Sequence, residues 1–402
     1  MLYGMEYLKN RLEMKKHRVA LRYRYYDMKH LTRDFGISTP DHLRNWTGTL
    51  GWCGKAVDSL ADRLQFDRFK NDDFDFNTIY AMNNPDVLFD SAIKSALIAS
   101  CCFIYITTDG DGYPRLQVLD GSRATGMIDP FTGLLTEGYA VIEEDASHLP
   151  ICEAYLTPGK TEVYENGKQV GVFTYDVDYP LLVPVVNKPD AVRPFGHSRI
   201  SRACMSLVDS AIRTVKRSEI AAEFYSYPQK YIVGMSEDAE AMDKWRATMS
   251  SLITITKDED GDRPTMGQFS QQSMEPHTGQ LRMFASLFAG ETGLTTDDLG
   301  FVTENPSSAE AIKASHENLR LTARKAQRTF ANGFINAGYL AACLRDEVNY
   351  SRSQVYDTRT AWRPIFEPDA AMLSSIGDGT IKLNQAVPGY IDAERLEELT
   401  GI

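Results

Sequence analysis

The most constraining stretch in the chain is a proline-free run from Ser307 to about Leu344. Spaced at about 100° per residue, Ile312, Leu319, Ala323, Ala326, Phe330, Phe334, Ala337, Ala341 and Leu344 fall on one side. Lys313, Arg320, Arg324 and Arg328 fall on another, with Glu317 the only acid among them. Ser307 and Ser308 supply an N-cap, with Glu310 in the first turn. At 1.5 Å per residue such a helix runs roughly 50 Å, longer than most helices of globular proteins. A charged, solvated face over a packed apolar face is the simplest reading of this helix by itself. Before it, residues 280–289 place Leu281, Phe284, Leu287 and Phe288 on one face, which predicts a second helix. The Gly-, Asp- and Pro-marked segment 293–306 predicts a loop between the two.

The 402 residues allow two or three cores, and 43% hydrophobic with 24% charged residues is an ordinary globular balance. No apolar run approaches the ~20 residues that span a bilayer, and the first residues show no apolar signal core, so no membrane partner or secretion is expected. Six cysteines lie without CxxC or Cys/His spacing, which predicts free, mostly buried thiols rather than a zinc site. The net charge of −12 argues against a protein that wraps nucleic acid tightly, though not against a weakly contacting DNA channel.

Residues 1–46 read as helical and locally basic, with alternating Tyr and Arg at 21–26. Diluting acids at Glu6, Glu13, Asp27 and Asp34 favour docking on a neighbouring subunit over nucleic-acid contact. Short helices are predicted at 55–64, with Val57, Leu60, Ala61 and Leu64 inward, at 76–83 and at 87–100. From Cys101 the period becomes two. Strands are expected at 103–107, 115–119, 138–143, 151–156, 161–165 and 169–174, with turns at 109–112 and at Asn166–Gly167. Asp109, Asp111 and Gly112 resemble the start of a calcium loop. The later ligand positions hold Pro114, Leu116 and Val118, so a hairpin turn is the reading. Segment 1–197 is therefore an α+β region with an antiparallel sheet.

Ser198 is read as the N-cap of a long helix over 200–225 that ends before Pro228. Cys204, Leu207, Val208, Ala211 and Ile212 lie on one side of it; Arg199, Arg202, Arg213 and Arg217 lie opposite, with Lys216 near the edge. A small α/β unit follows: strand 229–234, helix 237–250, strand 252–256 and an acidic turn of Lys257, Asp258, Glu259, Asp260 and Asp262. No GxGxxG, GxxxxGK[ST] or GxSxG occurs, so neither a nucleotide cradle nor a catalytic constellation is written here, and no enzyme or cofactor is expected. A metal-dependent nuclease built on Asp258, Asp260 and Asp262 is the enzymatic alternative; a non-catalytic assembly component is the structural one.

Two helices flanking a compact insertion, then a loop and a third helix, is an uncommon order. Three stretches carry a resemblance: VPVVN…FGHSRI at 183–200, FYSYPQKYIVG at 224–234, and PSSAEAI at 306–312 followed by RKAQRTF at 324–330. Together the chain resembles the portal (connector) proteins of long-tailed bacteriophages. The resemblance implies a portal fold of the α+β class: a wing (1–197), a first stem helix (198–227), a small α/β clip (228–277) and a second stem helix (278–291). A tunnel loop (292–308), a long kinked helix (309–346) and a short C-terminal wing or crown (347–402), with helices at 369–375 and 392–399, complete it.

The resemblance also implies a dodecameric homo-oligomer at one capsid vertex. Double-stranded viral DNA passes through it; large terminase, major capsid and scaffold proteins and a head-tail adaptor dock on it, and assembly takes place in the host cytoplasm. Leu294, Thr295, Asp297, Asp298, Phe301, Glu304 and Asn305 would form the tunnel loop, which has no Lys or Arg. Arg199, Arg202, Arg213, Lys216 and Arg217 would face DNA or a neighbour's carboxylates; Lys313, Arg320, Arg324 and Arg328 would form the long-helix stripe. Lys257, Asp258, Glu259, Asp260 and Asp262 would dock terminase or adaptor.

Overall fold

In the computed structural model the described residues are 2–33, 45–226, 230–233, 265–268, 273–301, 314–366, 368 and 370–401. They separate into two compact units. One comprises Met1–His30, Gly51–Met205 and Ala289–Ile402, the other Leu31–Leu50 and Ser206–Phe288.

In the first unit, helix α1 (Met5–Tyr26) lies on a five-stranded antiparallel meander, β4 (Ala124–Ile128), β5 (Leu135–Glu144), β6 (Pro150–Thr157), β7 (Lys160–Glu165) and β8 (Lys168–Thr174), ordered as in sequence. Leu8 and Leu12 of α1 bury against Tyr139 and Val141 of β5. Gly4, at the helix N-cap, has no side chain, so the orphan amides are met from the sheet: Tyr3 N–H and Gly4 N–H donate to the buried Glu137 carboxylate at 2.9 and 3.1 Å. The β7–β8 connection uses Asn166 (φ 48°) and Gly167 (φ 77°), the left-handed pair that a two-residue hairpin requires and that Asn-Gly predicts.

A second sheet, β3 (Pro114–Asp120), β2 (Cys101–Thr108) and β9 (Leu182–Val186), is antiparallel throughout. The first six residues of β2 are all buried, so both of its faces are covered. Helix α4 (Pro85–Ala99) and helix α7 (Glu317–Asp346) share one face: Cys102 Sγ reaches Ala92 O, and Gly333 of α7 comes so close to Val185 that a Cβ there would stand 3.1 Å from its side chain. On the other face Phe103 meets Phe195. The β2–β3 turn is a hairpin, with the Asp109 carboxylate taken by Asp111 N–H, Tyr113 N–H and Arg115.

A two-stranded ribbon, β1 (Phe66–Lys70) with β12 (Arg359–Trp362), closes the unit beside helices α2 (Trp52–Ala61) and α3 (Phe76–Ala81). Phe66, Phe69, Phe76, Tyr80, Phe89, Phe334 and Trp362 interlock there, with ring centroids 4.0 to 6.3 Å apart. Tyr80 OH donates to Phe334 O at 2.7 Å, so a polar atom inside this cluster is satisfied. At the C-terminal end of the chain come α8 (Ala370–Ala386) and α9 (Ala393–Thr400), the latter capped by Asp392. Among the described residues α8 buries none.

The second unit holds most of α5 (Arg202–Ser226), the ribbon β10 (Lys230–Val233) with β11 (Thr265–Gln268), and α6 (Glu275–Thr292) as far as Phe288. Val208, Ala211 and Ile212 of α5 and Ala285 and Phe288 of α6 are buried, and Thr214 pairs with Gln280 at 3.0 Å.

Among the described residues the expected helices and hairpins are present, with four differences; the helix expected at 237–250 and the strand at 252–256 lie outside them. Strands β1 and β12 and the β9 segment carry too few alternating residues to stand out, and pairing partners far along the chain define them; β4, also unmarked, is defined by the adjacent β5. Helix α5 begins at Arg202, not near 198. Ser201 Oγ accepts from Cys204 N–H at 3.1 Å and is the cap, while Ser198 Oγ is turned to Ile98 O at 2.6 Å. Leu287 does not join the inward face of α6; it is 54% exposed, and Ala285 takes the inward position. The long helix, expected from 309, has its regular run from Glu317 after His316; Ile312 and the Ser307–Ser308 start lie outside the described residues.

Candidate functional site

Four groups of residues were singled out by the sequence, and the structure treats them differently. In the loop after α6, Gly293 (φ 72°) ends the helix with its N–H on Ala289 O at 2.8 Å. Leu294 and Leu299 point inward, 6% and 8% exposed, and pin a single 3₁₀ turn, Asp297–Leu299. Asp298 is not a free charge: its carboxylate accepts from Thr295 N–H and Thr295 Oγ, both at 2.9 Å, and His316 stands 3.9 Å away. Asp297 is exposed and Phe301 half-buried. This part of the segment is a built turn that presents one carboxylate outward. Glu304 and Asn305 lie outside the described residues.

The basic residues expected on the first stem helix do not form one exposed stripe. Arg199 precedes α5 and is 6% exposed. Its guanidinium donates to Ala56 O of α2 and, at 2.9 Å, to Thr292 O at the end of α6. Burial pushes its pKa down to about 10, and it has no carboxylate partner among the described residues. Arg199 is therefore a structural tie, not a group that reaches DNA or a neighbour. Lys216 is also buried, at 8% exposed; Arg213, half-buried, donates to Ser210 Oγ at 2.9 Å, and Arg217 is half-buried. Of the five, Arg202 alone is exposed. The helical wheel assigns faces from α5's own residues; what lies against each face decides exposure.

On α7, Arg320 is held bidentately by Glu317 at 2.7 and 2.5 Å, which keeps the Glu317 carboxyl below its usual range. Arg324 and Arg328 are exposed, and no ion pair engages either among the described residues. Lys313 lies outside them, as do Lys257, Asp258, Glu259, Asp260 and Asp262 of the predicted clip turn.

Around Arg324 and Arg328 the fold adds basic residues that the periodicity did not reveal. Lys325 and Arg359 join them along a groove of about 640 Å³ between α7 and β12, floored by Leu321, Ile335 and Trp362. An adjoining groove brings Lys188 beside Lys325 and Arg328. Burial, then the neighbouring Arg199 guanidinium, lowers the pKa of Lys188. No acidic side chain lines either groove among the described residues. Nothing local in the sequence signals this convergence, because Lys188 and Arg359 arrive from segments more than a hundred residues apart. The chemistry on offer is cation density over an apolar floor. Such a surface can pair with anionic groups.

No family model matches the sequence. The chain is 24% identical over 391 residues to the portal protein of Mycobacterium phage L5, covering 92% of this chain and 79% of that protein. It is 23% identical over 397 residues to the portal protein of Mycobacterium phage D29, covering 94% and 81%. The chain is a relative of phage portal proteins. A portal or connector role follows for this portal relative from a match that runs through nearly its whole length. Its fold is similar to that in a solved structure of the neck of an empty gene transfer agent particle computed with C6 symmetry: TM-score 0.50, 14% identity, 94% of this chain and 97% of that one. At that identity the likeness is one of fold. No helix among the described residues is long and apolar enough to cross a membrane.

Proposed function

We propose that this portal relative is the subunit of a closed, dodecameric ring at one vertex of a virion capsid, through which double-stranded DNA enters and leaves. The observation that carries the reading is its similarity to two portal proteins along 92% and 94% of the chain. A match along most of this chain supports a shared architecture rather than one shared module. In this reading residues 1–197 are the wing, α5 and α6 the stem, 228–277 the clip, 292–308 the tunnel loop, the long helix the wall behind it, and 347–402 a C-terminal wing or crown. The ring docks the large terminase during packaging and a head-tail adaptor afterwards, and it contacts major capsid and scaffold proteins. It hydrolyses nothing itself.

The loop chemistry supports a low-friction channel. The segment from Leu294 to Ser308 has acids at Asp297, Asp298 and Glu304 and no Lys or Arg, so it repels phosphate rather than gripping it. Grip would oppose sliding, because every neutralised phosphate adds salt-dependent affinity. The test is the mass of the purified protein together with end-on electron micrographs. A ring of about a dozen subunits with a central hole is expected. Single compact molecules at every concentration, with and without scaffold or capsid protein, would refute the reading.

A further inference from the structure

We infer that the basic groove between α7 and β12 seats a carboxylate-rimmed groove of a second copy of this chain, the one bounded by α2 and α4. The inference rests on the reading of the chain as a ring subunit and names the surfaces that join neighbours. A ring needs a heterologous contact: two different patches on one molecule, each complementary to the other. Grooves of opposite sign meet that need.

The first has Arg324, Lys325, Arg328 and Arg359 on its rim and no acid. Leu321 on its floor is 45% exposed, and beside it lie Ile335 and the half-buried Trp362. The second, of about 310 Å³, has Asp62, Asp86 and Asp90 on its rim against a single cation, Arg363, with Leu64, Phe66 and Phe89 beneath. Asp90 is paired with Lys94 at 2.9 Å; Asp62 and Asp86 make no ion pair among the described residues. The β1–β12 ribbon divides the two grooves. Trp362 lines the first, and Arg363, just past the end of β12, lines the second.

The apolar floors favour a protein occupant over DNA. A phosphate backbone is matched by cations alone and gains nothing from Leu321 and Ile335. A protein surface with acids around an apolar centre uses both parts of the groove. Arginine and tryptophan side by side are also the residue types that concentrate binding energy at protein interfaces. The net charge of −12 gives every copy carboxylates to spare, and an acid-free cationic groove is a place where a neighbour's can be matched.

The experiment is charge reversal read by native mass and by DNA retention. Wild type is compared with Arg324→Glu/Arg328→Glu, with Asp62→Arg/Asp86→Arg, and with all four changes together. Each pair is expected to lower the assembled fraction at fixed concentration at least tenfold, and the combination to restore most of it, with circular dichroism unchanged. Arg324→Gln/Arg328→Gln, which removes charge without reversing it, carries the test if the reversed protein does not fold; a several-fold loss of assembly is expected. A wild-type ring indifferent to both reversals overturns the inference alone. So does a combination no better than either pair, or an intact ring that has lost DNA retention, since the groove would then face DNA. Wild type that forms no ring defeats the ring reading itself and the inference with it.

Discussion

Replacing Arg199 separates a structural tie from a ligand-facing cation. The guanidinium sits at 6% exposure and bridges Ala56 O of α2 to Thr292 O of α6. Thr292 is the last residue of its helix, so its carbonyl has no intrahelical donor and depends on Arg199. Arg199→Met keeps the apolar stem and removes both bonds. A buried carbonyl left without a donor costs about 1–3 kcal/mol; losing the charge's own burial cost offsets part of it, so a net loss of about 1 kcal/mol is expected. Arg199→Lys, nominally milder, is expected to be worse. Its compact ammonium cannot fork to two carbonyls on different helices, yet it still brings a charge out of water. The drop in the Arg199 pKa to about 10 shows the burial cost at this position, roughly 3 kcal/mol at 1.36 kcal/mol per pKa unit. With part of it no longer offset, the lysine variant is expected to lose about 3–5 kcal/mol. Urea unfolding followed by tryptophan fluorescence suits the question, since Trp52, 5% exposed, lies one turn before Ala56 in α2. A lysine variant as stable as wild type, or a methionine variant within 0.5 kcal/mol of it by roughly the error of such measurements, would refute the argument.

Three further perturbations test the packing and the electrostatics. Gly338→Ala in α7 would place a Cβ 2.9 Å from the fully buried ring of Phe76. The ~1 kcal/mol gained from helix propensity is outweighed by ~1–3 kcal/mol of overpacking, so thermal unfolding shifts down. Gly377→Ala in α8 meets nothing within 4 Å and is expected to protect α8 amides from hydrogen exchange. Burial, and then Arg11, lowers the Lys15 pKa from 10.5 to about 8. A base depressed in the folded state penalises folding fully below about pH 8. The penalty fades as pH rises from there toward 10.5, so Lys15→Met should stabilise most at pH 7 and least near pH 10. A wild-type-minus-variant difference that stays flat over that range would refute it.

The groups that changed role show why part of this molecule is readable from its sequence. Periodicity alone marks α1, α4 and α7, because an amphipathic helix must bury a stripe whatever covers it. Leu319, Ala323, Ala326, Phe330 and Phe334 are all buried as their spacing requires. The Asn166–Gly167 turn is likewise local, fixed by two residues that tolerate positive φ. Segments that are strands only because a distant partner pairs with them are not marked: β1 finds β12 across nearly three hundred residues. Cap choice belongs to the same class, since Ser198 is as good a local cap as Ser201 until Ile98 O claims its hydroxyl.

Charge follows the same division. The sequence by itself determined that Arg199, Lys216 and Arg324 are cations and that the loop after α6 is acidic, because side-chain chemistry travels with the residue. Only the tertiary structure decided that Arg199 and Lys216 are buried, and that Arg324, Lys325 and Arg328 are joined by Lys188 and Arg359. Exposure and convergence are set by what packs alongside, and those neighbours come from segments too far apart for any local pattern to register them.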